Sequence, residues 1–381
     1  MKPSAAAGYG RSSSLADRHS QVTVIATTLN AQVTPMELAA VAARLRAKPR
    51  KPLPSLRIAS AIAAACERWR DPHYELRRAT VGAIAAAWGW SESLLDESIH
   101  ALLSPFSRSA LESFAAKVPR RDDLIGLIMP GNIPGAGIHE FTTALLAGCS
   151  LIVKTATAEP FFFARFVQTL REIDSELGAR VAVMNWSRDR HNLTAAMRAE
   201  CDWIAAFGDD DTIRQLESVE APFTSKPAVT DTPIVGFGGR VSGALVTKEF
   251  ATGPSSIAIA DALARDVSLF EQQGCLSPHH VFVESTDPAV ASEFARELAA
   301  ALDRFAKRAP SPRRYGLEDA AAVRRVRESA RWRAIGGAAV TLIEGGDLDW
   351  TVVYDHDASF TTSPGYRTVT VSPFRDLDDL S

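Results

Sequence analysis

No stretch of this 381-residue chain approaches the roughly eighteen consecutive apolar residues that a membrane-spanning helix needs. Residues 1–20 are rich in Ser, Ala and Gly but lack the continuous apolar core of a secretory signal, and read as a disordered leader. A cytoplasmic protein is the expectation. An excess of charge of one sign is also missing. The 42 basic and 45 acidic side chains leave a net of −3, so neither nucleic acid nor an anionic membrane is indicated as partner. Arg313, Arg314, Arg324 and Arg325 alternate with acids and apolar residues, as on solvated helix faces. Cysteine is scarce. Cys66, Cys149, Cys201 and Cys275 form no CxxC pair and no zinc spacing. In a reducing compartment they are free thiols, and most free cysteines are small buried apolar residues. The Asp355-His356-Asp357 run has no second cluster to complete a ligand set, so no metal is expected. There is no internal repeat.

What remains is an ordinary globular composition, 46% hydrophobic and 23% charged, long enough for one large domain or two to three smaller ones. Residues 35–115 carry apolar side chains at i, i+3, i+4 spacing, as in Leu56, Ile58, Ala59, Ile62 and Ala63, and predict helices. Beyond Arg121 the rhythm changes. Short apolar runs at 123–129, 150–153, 181–184 and 202–207 predict strands, and helical patterns follow them at 137–147, 158–177, 191–199 and 210–218. Such alternation predicts a doubly wound parallel sheet, which binds ligands at the carboxyl ends of its strands. A second region begins at Gly239. It has a helix over 254–270, a strand at 281–283, a helix over 288–304 and strands at 339–343, 350–354 and 368–371. The Pro- and Arg-rich segment 308–314 reads as a surface loop.

Four pieces carry the chemistry. Ile128-Met-Pro-Gly-Asn-Ile-Pro134 stands where a strand gives way to a helix, and Ile152-Val-Lys154 ends the next strand. Phe207-Gly208 leads into Asp209-Asp210-Asp211 and a helix. Gly236-Phe-Gly-Gly-Arg240 is followed further along the chain by Gln273-Gly274-Cys275. In this order the pieces resemble the aldehyde-dehydrogenase superfamily, with its Pro-x-Asn-x-Pro turn, strand-ending Lys, Phe-Thr-Gly-Ser-like turn, Leu-Gly-Gly-Lys turn and Gly-Gln-x-Cys nucleophile. The string Gln272-Gln-Gly-Cys-Leu-Ser-Pro278 and the ending Gly365-Tyr-Arg-Thr-Val-Thr-Val371 are especially similar to the LuxC-type acyl-CoA reductases of bacterial bioluminescence. The resemblance spans roughly residues 40–380.

The resemblance implies an α/β, aldehyde-dehydrogenase-like fold. It places the leader at 1–20, a helical part and Rossmann-like cofactor domain at 21–240, a catalytic α/β domain with Cys275 at 241–366, and a short strand and tail at 367–381. Cys275 is then the nucleophile that holds the acyl group as a thioester, and Asn132 the oxyanion donor. Each has a plain structural alternative: a buried thiol, and an Asn that only shapes a Pro-flanked turn. Cofactor contacts fall on Pro130, Gly131, Lys154, Thr157, Phe207, Gly208 and Gly238. An acid near the end of the Lys154 strand would favour NAD, but the carboxylate is displaced to Glu159. The expected cofactor is therefore NADPH, with NADH possible. Gly208 opens a helix N-terminus suited to pyrophosphate, yet Asp209, Asp210 and Asp211 repel phosphate while they favour the helix. At Gly236 the oxidising members carry a glutamate that activates water. Its absence fits reduction, and equally fits a damaged enzyme. His279 and His280 follow Cys275 closely enough in sequence to suggest a Cys–His dyad.

The expected reaction is reduction of an acyl thioester, acyl-CoA above all, to the aldehyde. Rival readings keep the fold with an acyl phosphate or acyl-carrier-protein donor, or make the chain a non-catalytic partner in an acyl-processing complex. The last rests on the chain ending at Ser381, soon after its last strand, where the resembling reductases continue. A cysteine acyltransferase or hydrolase is a further alternative. A homo-oligomer is implied by family analogy alone.

Overall fold

The computed structural model describes residues 33–47, 52–218, 232–311 and 316–380. The leader at 1–20 and part of the 308–314 loop lie outside them.

Helix α1 (Pro35–Arg46) starts from a reciprocal cap. Glu37 N donates to Thr34 Oγ1 at 3.2 Å, and Thr34 N donates to the Glu37 carboxylate at 2.8 Å. Helices α2 (Ser55–Arg70), α3 (Glu75–Trp88), α4 (Glu92–Leu103) and α5 (Arg108–Ala115) follow. Their buried faces, Ile58, Ile62, Trp69, Ile84 and Leu95 among them, form one apolar cluster with Phe162 and Phe166.

The first sheet contains β1 (Leu124–Ile128), β2 (Ser150–Thr155), β3 (Val181–Asn185), β4 (Trp203–Phe207) and β5 (Ile234–Phe237). Its order is β3-β2-β1-β4-β5, and all its pairings are parallel. The linking helices are α6 (Ile138–Ala147), α7 (Phe162–Ile173), α8 (Ser175–Gly178), α9 (His191–Glu200) and α10 (Asp210–Ser218). Strand order reverses between β1 and β4, which opens a crevice at their carboxyl ends. Every residue of β2 is buried, as its continuous apolar run requires in a sheet covered on both faces. Over β4 and β5 one face is less covered. Trp203, Val235 and Phe237 are exposed there.

The second sheet contains β6 (Ser242–Val246), β7 (Pro278–Glu284), β8 (Val340–Glu344), β9 (Thr351–Asp355) and β10 (Thr368–Phe374) in the order β6-β7-β10-β9-β8. Only the β8–β9 pair among these is antiparallel. Helices α11 (Pro254–Ser268) and α12 (Pro288–Arg308) bury Ala260, Phe294, Leu298 and Leu302 with Val281, Val352 and Val369. Helix α13 (Leu317–Ile335) packs on β8 and β9.

Several elements depart from the sequence reading, β6 among them, which was not anticipated. The helix over 158–177 is two helices, because Asp174 turns to extended backbone and caps α8 through bonds from Glu176 N and Leu177 N. Gly236 lies in β5, a strand not anticipated from the sequence, where a Cβ would lie 2.7 Å from Ile213 Cγ2. Helix α13 was not anticipated, since only Val323, Arg327 and Ala330 of it are buried.

Candidate active site

The Pro130–Ile133 turn leaves β1 at the switch point. Met129 N donates to Lys154 O at 2.9 Å, which holds the exit of β1 beside the end of β2. Gly131 is required by close approach: a Cβ there would come within 2.9 Å of the Ala156 Cβ. The turn presents Asn132, whose side chain is exposed and whose Nδ2 donates to Gln273 O at 3.3 Å. The side chain in the Pro-flanked turn therefore reaches the segment that carries Cys275, on the other sheet.

Of the four cysteines, Cys275 alone is exposed; Cys66, Cys149 and Cys201 are buried. Burial pushes the Cys66 thiol up to about 12 and raises that of Cys149. Three consecutive residues ahead of Cys275 are left-handed: Phe270 (φ 54°), Glu271 (φ 51°) and Gln272 (φ 61°). None is glycine, so each costs about 1–2 kcal/mol. A second left-handed run lies opposite at Gly365 (φ 84°), Tyr366 (φ 55°) and Arg367 (φ 55°). The two are locked together. Tyr366 N donates to Glu271 O at 3.1 Å, and Arg367 Nη2 to Glu271 Oε1 at 2.7 Å. The Gln272 amide donates to Pro278 O at 2.7 Å and to Thr368 O at 2.9 Å, and accepts from Thr368 N at 2.8 Å. Beyond the turn, Ser277 N donates to Gly274 O at 3.0 Å and Ser242 Oγ to Cys275 O at 2.6 Å. The Cys275 backbone N–H donates to no group among the described residues.

Both histidines after Cys275 are engaged elsewhere. His279 Nδ1 accepts from Ser363 N at 3.1 Å, and His280 Nδ1 from Thr361 N at 3.2 Å. His280 Nε2 lies 3.0 Å from Ser372 Oγ, which itself donates to Asp355 O. That fixes His280 as a neutral Nε2–H tautomer, and burial lowers its pKa to about 4. The dyad considered from the sequence is not formed. The Asp355-His356-Asp357 run is likewise occupied. Asp355 pairs with Arg333, and Asp357 with His356. Among the described residues no three His, Cys, Asp or Glu side chains cluster as a metal site.

The remaining candidates line the carboxyl ends of β1, β2, β4 and β5. Lys154 is buried, stands in register between Ile128 and Met184, and has no acidic partner among the described residues. Burial, with Arg188 adding to it, lowers its ammonium to about 8. The loop after it, with Thr157 exposed, is tied from two sides. Asn185 Nδ2 donates to Thr155 O and Ala156 O, and Trp88 Nε1 to Ala158 O at 3.0 Å. Glu159 does not reach the strand end: its carboxylate is buried and accepts from Phe161 N and Phe162 N at the start of α7. Phe207 stacks on Phe237 with centroids 4.6 Å apart. Gly208 lies under Thr212, and Gly238 under the Asp210 carboxylate. Asp209 Oδ1 caps α10 by accepting from Thr212 N at 2.6 Å. A polar crevice of about 590 Å³ between the loops after β3 and β4 is lined by Arg188, His191, Asp209 and Thr212. Arg188, Asn185 and Trp88 were missed from the sequence. None belongs to a motif, and only the fold brings them here.

Residues 92–381 match the family of acyl-CoA reductases known as LuxC. The chain belongs to that family. A long-chain acyl-protein thioester reductase of Aliivibrio fischeri is 24% identical to this LuxC-family chain in an alignment of 339 residues that covers 82% of the chain and 66% of the relative. A second such reductase, from Photobacterium leiognathi, is 24% identical over 257 residues, 66% of the chain and 49% of the relative. The LuxC-family chain thus spans about two thirds of the first and half of the second. A NAD-dependent benzaldehyde dehydrogenase from Corynebacterium glutamicum, 16% identical, superposes with a TM-score of 0.64 over 91% of this chain and 76% of that one. The fold is that of the aldehyde dehydrogenases.

Proposed function

We propose that this LuxC-family chain reduces an acyl thioester to the aldehyde through a thioester on Cys275, with NADPH as reductant. One observation carries the reading: the Asn132 amide meets the backbone of the loop that bears the one exposed cysteine. The Cys275 thiolate attacks the acyl carbonyl, and the new oxyanion takes hydrogen bonds from the Cys275 N–H and the second Asn132 amide hydrogen. The donor thiol leaves with the bonding pair and a proton, and the acyl group stays on Cys275. When bound, the reduced nicotinamide supplies a hydride to that acyl carbon. The sulfur–carbon bond then breaks, which frees the aldehyde and restores the thiolate.

The cofactor readings rest on the strand ends. An unpaired buried ammonium at Lys154, Arg188 beside it and the removal of Glu159 into a helix cap suit a phosphorylated adenosine ribose better than a bare one. In this reading Pro130, Gly131, Thr157, Phe207, Gly208 and Gly238, which follow or end the strands of the first sheet, would contact the cofactor, with the acids of α10 opposing a pyrophosphate. Gly236 supports reduction over hydrolysis, since it offers no carboxylate to activate water; a Cβ there would lie 2.7 Å from Ile213 Cγ2. The family description speaks of acyl-CoA and the relatives' names of acyl-protein; both donors are acyl thioesters.

The test follows absorbance of the reduced nicotinamide with a panel of acyl-CoA and acyl-protein donors, with Cys275→Ala in parallel. Aldehyde formation that vanishes in the variant is the expected result. Thioester consumption without nicotinamide oxidation would instead indicate an acyltransferase or hydrolase. No acyl uptake by folded protein would indicate a non-catalytic subunit.

A further inference from the structure

Residues 273–277 form a loop whose two ends are gathered by one side chain. The Gln272 amide holds Thr368 by both its N–H and its carbonyl, and holds the Pro278 carbonyl beyond Cys275. Glu271 grips the same base twice, with its backbone oxygen on Tyr366 N and its carboxylate on Arg367. That base is rigid, because Arg367 directly precedes β10, which is paired on both sides within its sheet. The ion pair is fully buried, with both side chains 0% exposed, and the Arg367 guanidinium lies 5.4 Å from the Phe305 ring centroid. Gly365 completes the fit: a Cβ there would come within 3.2 Å of Gln273 Nε2.

A buried ion pair is a poor device for stability alone, because desolvation offsets most of its attraction. It is a good device for fixing one geometry, and here it links two left-handed turns. The carbonyl that receives the Asn132 amide belongs to Gln273, the first residue past the clamped turn. We infer that Arg367, acting through Glu271 and together with Gln272, is a positioning residue that sets the placement of the Cys275 loop against the Asn132 amide. The inference rests on the reading of Cys275 as nucleophile. Its consequence is that acyl transfer depends on a residue that touches neither substrate nor cofactor.

The experiment uses the full chain with Glu271→Gln/Arg367→Met, which removes both charges at similar volume and is the kind of exchange buried pairs commonly tolerate. Gln272→Met is the second variant. Amide exchange of 273–277 is expected to rise about tenfold or more while the amides of β7 and β10 keep their protection. Acyl transfer from an acyl-CoA to Cys275 is expected to slow about 10²-fold, with KM within about a factor of two. In an Asn132→Ala background the same exchange should cost little further, since the geometry it disturbs serves that amide. Parent-like acyl transfer in folded variants, or losses that simply add to that of Asn132→Ala, would overturn the positioning role. A parent chain that accepts no acyl group would overturn the nucleophile reading itself, and the positioning role with it. The two failures differ in which protein is inactive.

Discussion

Asn132 and the carbonyl it bonds are separated by 141 positions, so the bond belongs to the fold and the amide to the sequence. Asn132→Ala removes the proposed oxyanion donor and should lower kcat about 10²- to 10³-fold with little change in KM. Steady-state kinetics check this, and iodoacetamide labelling of Cys275 at the parental rate would show the loop intact. His280 gives a pH-dependent prediction. Its pKa is about 4 in the fold and about 6.5 in an unfolded chain. Between those values the unfolded chain takes up a proton that the fold refuses, so stability falls as pH drops. Glu159 and Glu271, both raised to about 7 by burial, act in the opposite sense, since the fold protonates them first. The His280 contribution therefore appears as a difference. From about pH 6.5 to 4.5 the parent should lose stability relative to His280→Gln in urea titrations. Parallel curves for the two proteins would count against a neutral buried imidazole.

At the scale of elements, the short apolar runs announced β1 to β4 because a parallel strand buried on both faces has no polar alternation to hide it. Gly126 inside β1 is explained only by packing. A Cβ there would run into Ile204 Cδ1 and lie 2.6 Å from Met197 Cε on α9. Gly126→Val should destabilise by about 1–3 kcal/mol, read as a lower urea midpoint at unchanged slope; an unchanged midpoint would mean the sheet–helix spacing yields more easily than close packing allows. Strand β5 escaped notice because Gly236 weakens any strand pattern and β5 lies at the sheet edge. Helix α13 escaped because Leu317, Trp332 and Ile335 face solvent and Arg327 is one of its few buried positions. The left-handed turn at 270–272 had no signal either. Phe, Glu and Gln are not residues that choose that conformation; tertiary bonds impose it.

At the scale of the whole molecule, two sheets meet where the Pro130–Ile133 turn of one faces the Cys275 loop of the other. In the proposed reading, the strand ends around Lys154 and Arg188 select the cofactor. If that reading holds, Thr157→Glu places a carboxylate beside the adenosine ribose and should shift the NADH to NADPH ratio of kcat/KM toward NADH by about tenfold or more. An unchanged ratio would remove this strand end from the adenosine site. No helix among the described residues is long and apolar enough to cross a membrane. The sequence by itself determined the family and the alternation of the first sheet, and it singled out Cys275 and Asn132 as candidates, because local pattern and short motifs are written in neighbouring residues. Only the tertiary structure decided that His279 and His280 are engaged elsewhere, that Glu159 caps a helix, and that Glu271 pairs with Arg367 ahead of the loop that bears Cys275. Those outcomes depend on partners far apart in the chain and on burial, and neither can be read from neighbouring residues.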